Sequence, residues 1–327
     1  MRFYRPLLIL ATLLAFGVVS LGAYVRLSDA GLGCPDWPGC YGHLLGVPEQ
    51  AHEQSAALQA FPGKPVEPHK AWKEMLHRYL AGTLGLLILG IAGLAWRHRR
   101  ELRQSPLLPT VLVAVVGFQA MLGMWTVTLL LKPVIVSAHL LGGMSTLALL
   151  LWLVLRQTLG NQIPAGSGLR TLGTLALVVV IGQIALGGWV SSNYAALACA
   201  DFPTCQGVWL PEMDFQHAFQ LRRDLGQTAD GALLSNAALT AIHWTHRIGA
   251  LLVLLIAGTL TRTLWQHPGW RGWGLLLAGA LGTQLSLGIA NVLLSLPLPL
   301  AVAHNTGAAL LLAIMLALNF RLWTAPR

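Results

Sequence analysis

Eight apolar stretches recur along the whole chain, near residues 7–27, 74–96, 107–130, 134–156, 170–192, 241–263, 273–294 and 299–322. A helix rises about 1.5 Å per residue, so roughly 20 apolar residues cross about 30 Å of hydrocarbon. Lipid offers the backbone no hydrogen-bond partner, so runs of this length cross as helices that satisfy their own amides and carbonyls. Only 10% of the 327 residues are charged and 55% are hydrophobic, whereas a soluble domain carries about 25% charged residues. A disordered chain and an ordinary globular enzyme are both excluded. The expected fold class is all-α and integral to a membrane.

The formal charge of +9 invites a nucleic-acid reading, but its placement points elsewhere. With both termini inside, the cytoplasmic segments hold Arg2, Arg5, Arg97, Arg99, Arg100, Arg103, Arg156, Arg170, Arg262, Arg271, Arg321 and Arg327 against a single acid, Glu101. That is the positive-inside pattern for eight spans. The basic balance is a topology signal, and no nucleic-acid partner is expected. The first apolar run follows a short basic start, as a signal peptide would. It is read as a helix because it is long, lacks a small-x-small cleavage site and has an equivalent inside the chain.

That equivalent belongs to an internal repeat. CPDWPGC from Cys34 reappears as CADFPTC from Cys199, and Gly22 and Val25 match Gly187 and Val190 at the same step of 165 residues. The step becomes 169 at His77-Arg78 and His246-Arg247, then returns to 165 for Gly117, Gln119, Leu122 and Gly123 against Gly282, Gln284, Leu287 and Gly288. Ala138-His139 and Gly142 match Ala303-His304 and Gly307 at 165 as well. Matches at helix ends and slips in loops are what a duplicated four-helix unit gives. The expectation is two tandem, pseudo-symmetric four-helix bundles, residues 1–160 and 161–327. Paired spans run in the same direction, unlike the inverted repeats of many transporters.

Two long polar loops, roughly 28–73 and 193–240, face outward and are expected to be only partly ordered. Pro62, Pro65 and Pro68 argue against a regular element at the end of the first. All four cysteines lie there, spaced C-x5-C. Thiols outside the inner membrane are oxidised, so Cys34–Cys40 and Cys199–Cys205 are expected as disulfides. Each closes a short loop worth about 2–3 kcal/mol in the chain-entropy account. A staple over the membrane mouth and a redox-active pair both fit this spacing.

Of the 11 histidines, His43, His52, His69 and His217 fall in the outer loops and His98 and His267 at the cytoplasmic surface. Ionisable groups within spans are rare and usually functional. His77 and His246 fall in the first turn or two of the second and sixth expected helices, and His139 and His304 at similar distances from the outer starts of the fourth and eighth. Each half can thus present two imidazoles at like depth from parallel helices, the arrangement that ligates one haem iron on both faces. Zinc fits less well, because no third and fourth ligand accompanies each pair. Arg78 and Arg247 follow the first histidine of each pair, near the interface where haem propionates would emerge. Guanidinium pairs with carboxylates in bidentate fashion; an interfacial arginine that merely snorkels is the plainer alternative.

The halves differ three residues before that histidine, where Glu74 stands opposite His243. Spacing i,i+3 puts Glu74 on the face of His77, where it could meet a haem edge or move protons. A carboxylate suited to a helix N-terminus is the alternative. His243 reads equally as a spare ligand or as a partner behind one.

Taken jointly, GAYVRLSDAGLGCPDWPGC, EMLHRYLAGTLGLL, Gln119-x-x-Leu-Gly, SAH at Ser137–His139, HWTHRIGALL and AVAHNTGA resemble the haem A synthase family over essentially the whole chain. The resemblance implies oxidation of the C8 methyl group of haem O to a formyl group by successive hydroxylations, giving haem A for cytochrome oxidase. It implies a permanent haem b on His246 and His304, and substrate haem O on His77 and His139 with Glu74 near the reacting face. Arg247 and Arg78 would serve the propionates of the cofactor and the substrate. A bacterial inner-membrane location with both termini cytoplasmic, a haem O synthase as supplier, and an electron donor of quinol or ferredoxin type follow from the same resemblance, which leaves room for a homo-oligomer.

A di-haem b-type electron carrier, quinol-linked and without chemistry on haem, shares the four histidines and has no use for Glu74. A quinone-linked disulfide oxidase would not need paired intramembrane histidines. A transporter is disfavoured by few mid-membrane helix breaks, and a haem prenyltransferase by the absence of aspartate-rich magnesium motifs.

Overall fold

The computed structural model describes residues 3–102, 105–157 and 163–324. Among the described residues the protein is helical without strands, and eight helices are long and apolar enough to cross a membrane: α1 (Tyr4–Leu27), α2 (Pro68–Arg97), α3 (Leu107–Thr128), α4 (Pro133–Arg156), α5 (Ser167–Ser192), α6 (Asn236–Gln266), α7 (Arg271–Leu293) and α8 (Leu298–Thr324). It is an all-α, multi-pass membrane protein. Leu13, Leu86, Val178 and Leu255 are exposed along these helices, which is the solvent preference reversed that lipid requires. Arg97, Arg156 and Arg321 close helix C-termini, where a cation suits the dipole. Arg2, Arg103 and Arg327 lie outside the described residues.

The chain packs as two compact units, 1–146 and 147–327. The boundary expected between residues 160 and 161 lies outside the described residues. In the first unit α1 packs on α2 and α2 on α3. Gly143 of α4 faces Val19 of α1, and Gly142 of α4 lies under Gln119 of α3. In the second unit α5 and α7 each pack against both α6 and α8, closing a ring of four.

The backbone repeats itself at the step read from the sequence. Asp29 and Tyr194, Tyr41 and Gln206, Gly42 and Gly207, Leu130 and Ser295, and Leu131 and Leu296 all adopt positive φ, and each pair is 165 residues apart. The α3–α4 turn is closed by Leu131 N–H to Thr126 O at 2.8 Å, and the α7–α8 turn by Leu296 N–H to Asn291 O at 2.7 Å.

Two expectations about the outer loops are corrected. Pro68 does not interrupt regular structure but opens α2 in its first turn, where the missing N–H would have been unpaired anyway. The helix therefore begins earlier than the apolar run. His77 stands about two and a half turns inside it, rather than in the first turn or two. The first loop is also ordered. It carries a helix at Ala51–Ala60, and Cys34, Cys40, Tyr41, Val47 and Ala57 form a buried cluster on Ala71 and Met75 of α2. The second loop is tied down as well: Trp189 Nε1 of α5 donates to Ala218 O at 2.9 Å, and buried Arg223 donates to Asn193 Oδ1 at 2.5 Å.

Candidate functional site

Both cysteine pairs are disulfides, with Cα–Cα distances of 4.8 Å for Cys34–Cys40 and 4.7 Å for Cys199–Cys205. Each closes a small loop containing a cis peptide, Trp37–Pro38 or Phe202–Pro203. Each loop ends in a tight two-residue turn: Cys40 and His43 exchange backbone bonds of 2.8 and 3.0 Å, as do Cys205 and Val208 at 2.9 and 3.2 Å. Two successive residues at positive φ are the signature of this reverse turn. An aspartate braces it from inside. Asp36 accepts from Tyr41 and Gly42 N–H at 2.6 and 2.8 Å, and Asp201 from Gln206 and Gly207 N–H at 2.6 and 3.0 Å. The Thr204 hydroxyl, with these amides, holds the Asp201 carboxyl below its ordinary range.

The loops are fastened to the helices by the two arginines. Arg78 Nη1 donates to the carbonyls of Asp36 and Pro38 at 3.0 and 3.2 Å and also to that of Gly39. Arg247 donates through Nη1 to Thr204 O at 2.8 Å and through Nη2 to Cys199 O and Asp201 O at 3.0 and 2.8 Å. The sequence suggested anionic partners for these guanidinium groups; the structure gives both of them loop carbonyls and gives Arg78 the carboxylate of Glu74 as well. Nothing in the residue order announces this, because carbonyls carry no sequence signature.

Glu74 is buried and lies well inside α2, so it does not act as a helix-end carboxylate. Its Oε2 accepts from Cys34 N–H at 2.9 Å, and its Oε1 pairs with Arg78 Nη2. His243, its counterpart, accepts from Arg247 Nε at 3.3 Å through its own Nε2. Both residues thus support the arginine four positions on. Among the described residues no three His, Cys, Asp or Glu side chains gather as a metal site.

Within each unit the expected histidine pair comes together. His77 and His139 are close enough to interact electrostatically, and so are His246 and His304. Each ring sits opposite a glycine on a neighbouring helix. A Cβ on Gly22 would come within 2.9 Å of His77 Cε1, on Gly123 within 3.4 Å of His139, on Gly187 within 3.2 Å of His246, and on Gly288 within 3.1 Å of His304. The repeat marked these four glycines, but only the structure shows that they are notches for the rings. The Nδ1 atoms of His77, His139 and His304 are buried without a hydrogen-bond partner among the described residues. A buried imidazole nitrogen left unsatisfied costs free energy, and two imidazoles brought together from separate helices are the donor set that a haem iron takes on both faces. The residues fit haem.

The chain is similar to known proteins along nearly its whole length. The profile of a family described as cytochrome oxidase assembly protein (COX15-CtaA) matches residues 5–316. A heme A synthase of Shewanella oneidensis is 47% identical over 310 residues, covering 94% of this chain and 92% of that protein. Heme A synthases of Chelativorans sp. and Halalkalibacterium halodurans are 30% and 27% identical, each over 92% of this chain and over 86% and 92% of their own lengths.

Proposed function

We infer this protein's activity from one premise: the chain belongs to the COX15-CtaA family of cytochrome oxidase assembly proteins. On that premise it is a haem A synthase, an oxidoreductase that converts the C8 methyl group of haem O to a formyl group and so yields haem A for cytochrome oxidase. The observation that carries the reading is the pair of half-buried imidazoles in each unit, each ring seated in a glycine notch, with the Nδ1 atoms of His77, His139 and His304 short of partners among the described residues.

His246 and His304 would hold a resident haem b, and His77 and His139 would hold the substrate haem. Bound haem iron supplies the redox chemistry, and the protein supplies binding, orientation and electrostatics. The glycine notches set the azimuth of each ring. Glu74 is the proton-handling group of the N-terminal half, its carboxylate aimed by Cys34 N–H and Arg78. Arg78 and Arg247 stand at the outer ends of the sites, where haem propionates would share their donors with the loop carbonyls. The electron donor would be a quinol or a ferredoxin-like protein, with a haem b on His246 and His304 as its acceptor. The protein works in the bacterial inner membrane with both termini cytoplasmic, receives haem O from haem O synthase, and is open to homo-oligomer formation.

The test is to co-produce the protein with a haem O synthase and chromatograph the acid-extracted haems. Haem B together with haem O, its C8 alcohol or haem A is the expected result. Haem B alone, in membranes rich in haem O, would replace this reading with that of a di-haem electron carrier.

A further inference from the structure

Granting that the four histidines ligate haem, the groups behind each ring decide how firmly iron is held. A metal-bound imidazole ligates through one nitrogen and presents the N–H of the other to an acceptor, which fixes its orientation and raises its basicity.

Three of the four histidines are followed three residues later by glycine: Gly142 after His139, Gly249 after His246, and Gly307 after His304. A glutamine from a neighbouring helix lies across each of these glycines, where any Cβ would strike it: Gln119 over Gly142, Gln183 over Gly249 and Gln284 over Gly307. Gln284 Nε2 donates to His304 O at 3.0 Å. Gln183 does more, since its Nε2 is 2.9 Å from His246 O and 3.0 Å from His246 Nδ1. The same carboxamide carries Oε1, buried and without a partner among the described residues. It is the acceptor this side chain can offer to the Nδ1–H that iron ligation leaves on the ring. A half-turn of a carboxamide exchanges its donor and acceptor.

His77 is the exception. Leu80 stands where the repeat has Gly249, and Val18 where it has Gln183. Two apolar side chains have replaced a glutamine and the space it needs, and His77 Nδ1 has no partner among the described residues.

We propose that Gln183, seated by Gly249, is the positioning residue that makes His246 a permanent ligand, and that Val18 and Leu80 make His77 the releasable one. The chain thereby keeps one haem and exchanges the other. A turnover enzyme whose substrate and product are both haems needs that difference, because the product must leave the same pair of ligands that bound the substrate.

The test uses the full-length, haem-loaded protein and reads the midpoint potential of the low-spin haem and its rate of loss to excess apomyoglobin. Gln183→Leu removes the acceptor, so the potential shifts upward and haem loss accelerates by about 10-fold or more, the scale on which removing such a partner weakens metal affinity. Gly249→Ala pushes on the carboxamide without touching the ring and gives a smaller shift in the same direction; it also serves if Gln183→Leu does not fold. The reciprocal pair Val18→Gln with Leu80→Gly slows haem release from the N-terminal half. Unchanged potential and loss rate in both Gln183→Leu and Gly249→Ala would overturn the proposal. His246→Ala is run beside them, because a variant that keeps the low-spin spectrum would instead overturn the ligand assignment on which the proposal rests.

Discussion

The two halves of this protein carry the same machinery and differ in what stands behind it. Both have a disulfide loop braced by an aspartate, an arginine that fastens the loop to a helix, and two imidazoles seated in glycine notches. Against that shared frame, Glu74 replaces His243, and Val18 with Leu80 replaces Gln183 with Gly249. After duplication, the contacts that set the frame have stayed alike while the groups one step behind the ligands have diverged. Equivalent histidines can therefore serve unequal purposes.

The largest effects fall on the ligands. His246→Ala or His304→Ala should remove the stable low-spin haem spectrum, while His77→Ala or His139→Ala should spare it and abolish haem A formation; optical spectra and extracted haems distinguish the two. Next comes Glu74→Ala. Loss of a proton-handling group lowers the rate by about 10²–10⁴-fold, and stripping Arg78 of its buried partner destabilises by about 3–5 kcal/mol. Product should fall and thermal unfolding should come earlier, with the C-terminal haem spectrum intact. His243→Ala removes a 3.3 Å bond from Arg247, worth about 1 kcal/mol, and no ion pair. A matching loss of product in that variant would erase the functional difference between the halves.

The notches should respond more gently. Gly22→Ala brings a methyl to 2.9 Å from the His77 ring and Gly187→Ala to 3.2 Å from His246. Substrate haem affinity should fall in the first, and the haem b spectrum should broaden in the second. The smallest effect concerns pH. Asp201 is held below its ordinary carboxyl pKa by the Thr204 hydroxyl and the turn amides. Its contribution is present above the unfolded value of about 3.8 and is lost as pH falls through the lower folded value. Limited proteolysis of the second loop should accelerate only in that acidic window, and Asp201→Asn should flatten the dependence.

Much of this was legible in the residues because it is periodic or repeated. Span length revealed the eight helices, and the step of 165 and 169 residues revealed both histidine pairs. It also marked Gly22, Gly123, Gly187 and Gly288, although their purpose emerged only with the rings in place. What stayed hidden depends on contacts without a local pattern. Glu74 meets Cys34 N–H across 40 residues, and the arginines bind main-chain carbonyls that every residue possesses. Pro68 read as a breaker because a proline looks the same before a helix as inside one; its position in the first turn decides which it is. The order of the first loop likewise comes from packing of Tyr41, Val47 and Ala57 on α2, a tertiary effect that a polar composition conceals.

The most direct measurement is the haem inventory of His77→Ala and His246→Ala, each purified from cells that also make haem O and compared with the parent protein. A division between a resident and an exchanging half predicts that His246→Ala loses haem B and that His77→Ala keeps haem B but loses haem O, its alcohol and haem A. Loss of the same haems from both variants would contradict it, because the two pairs would then be serving one purpose.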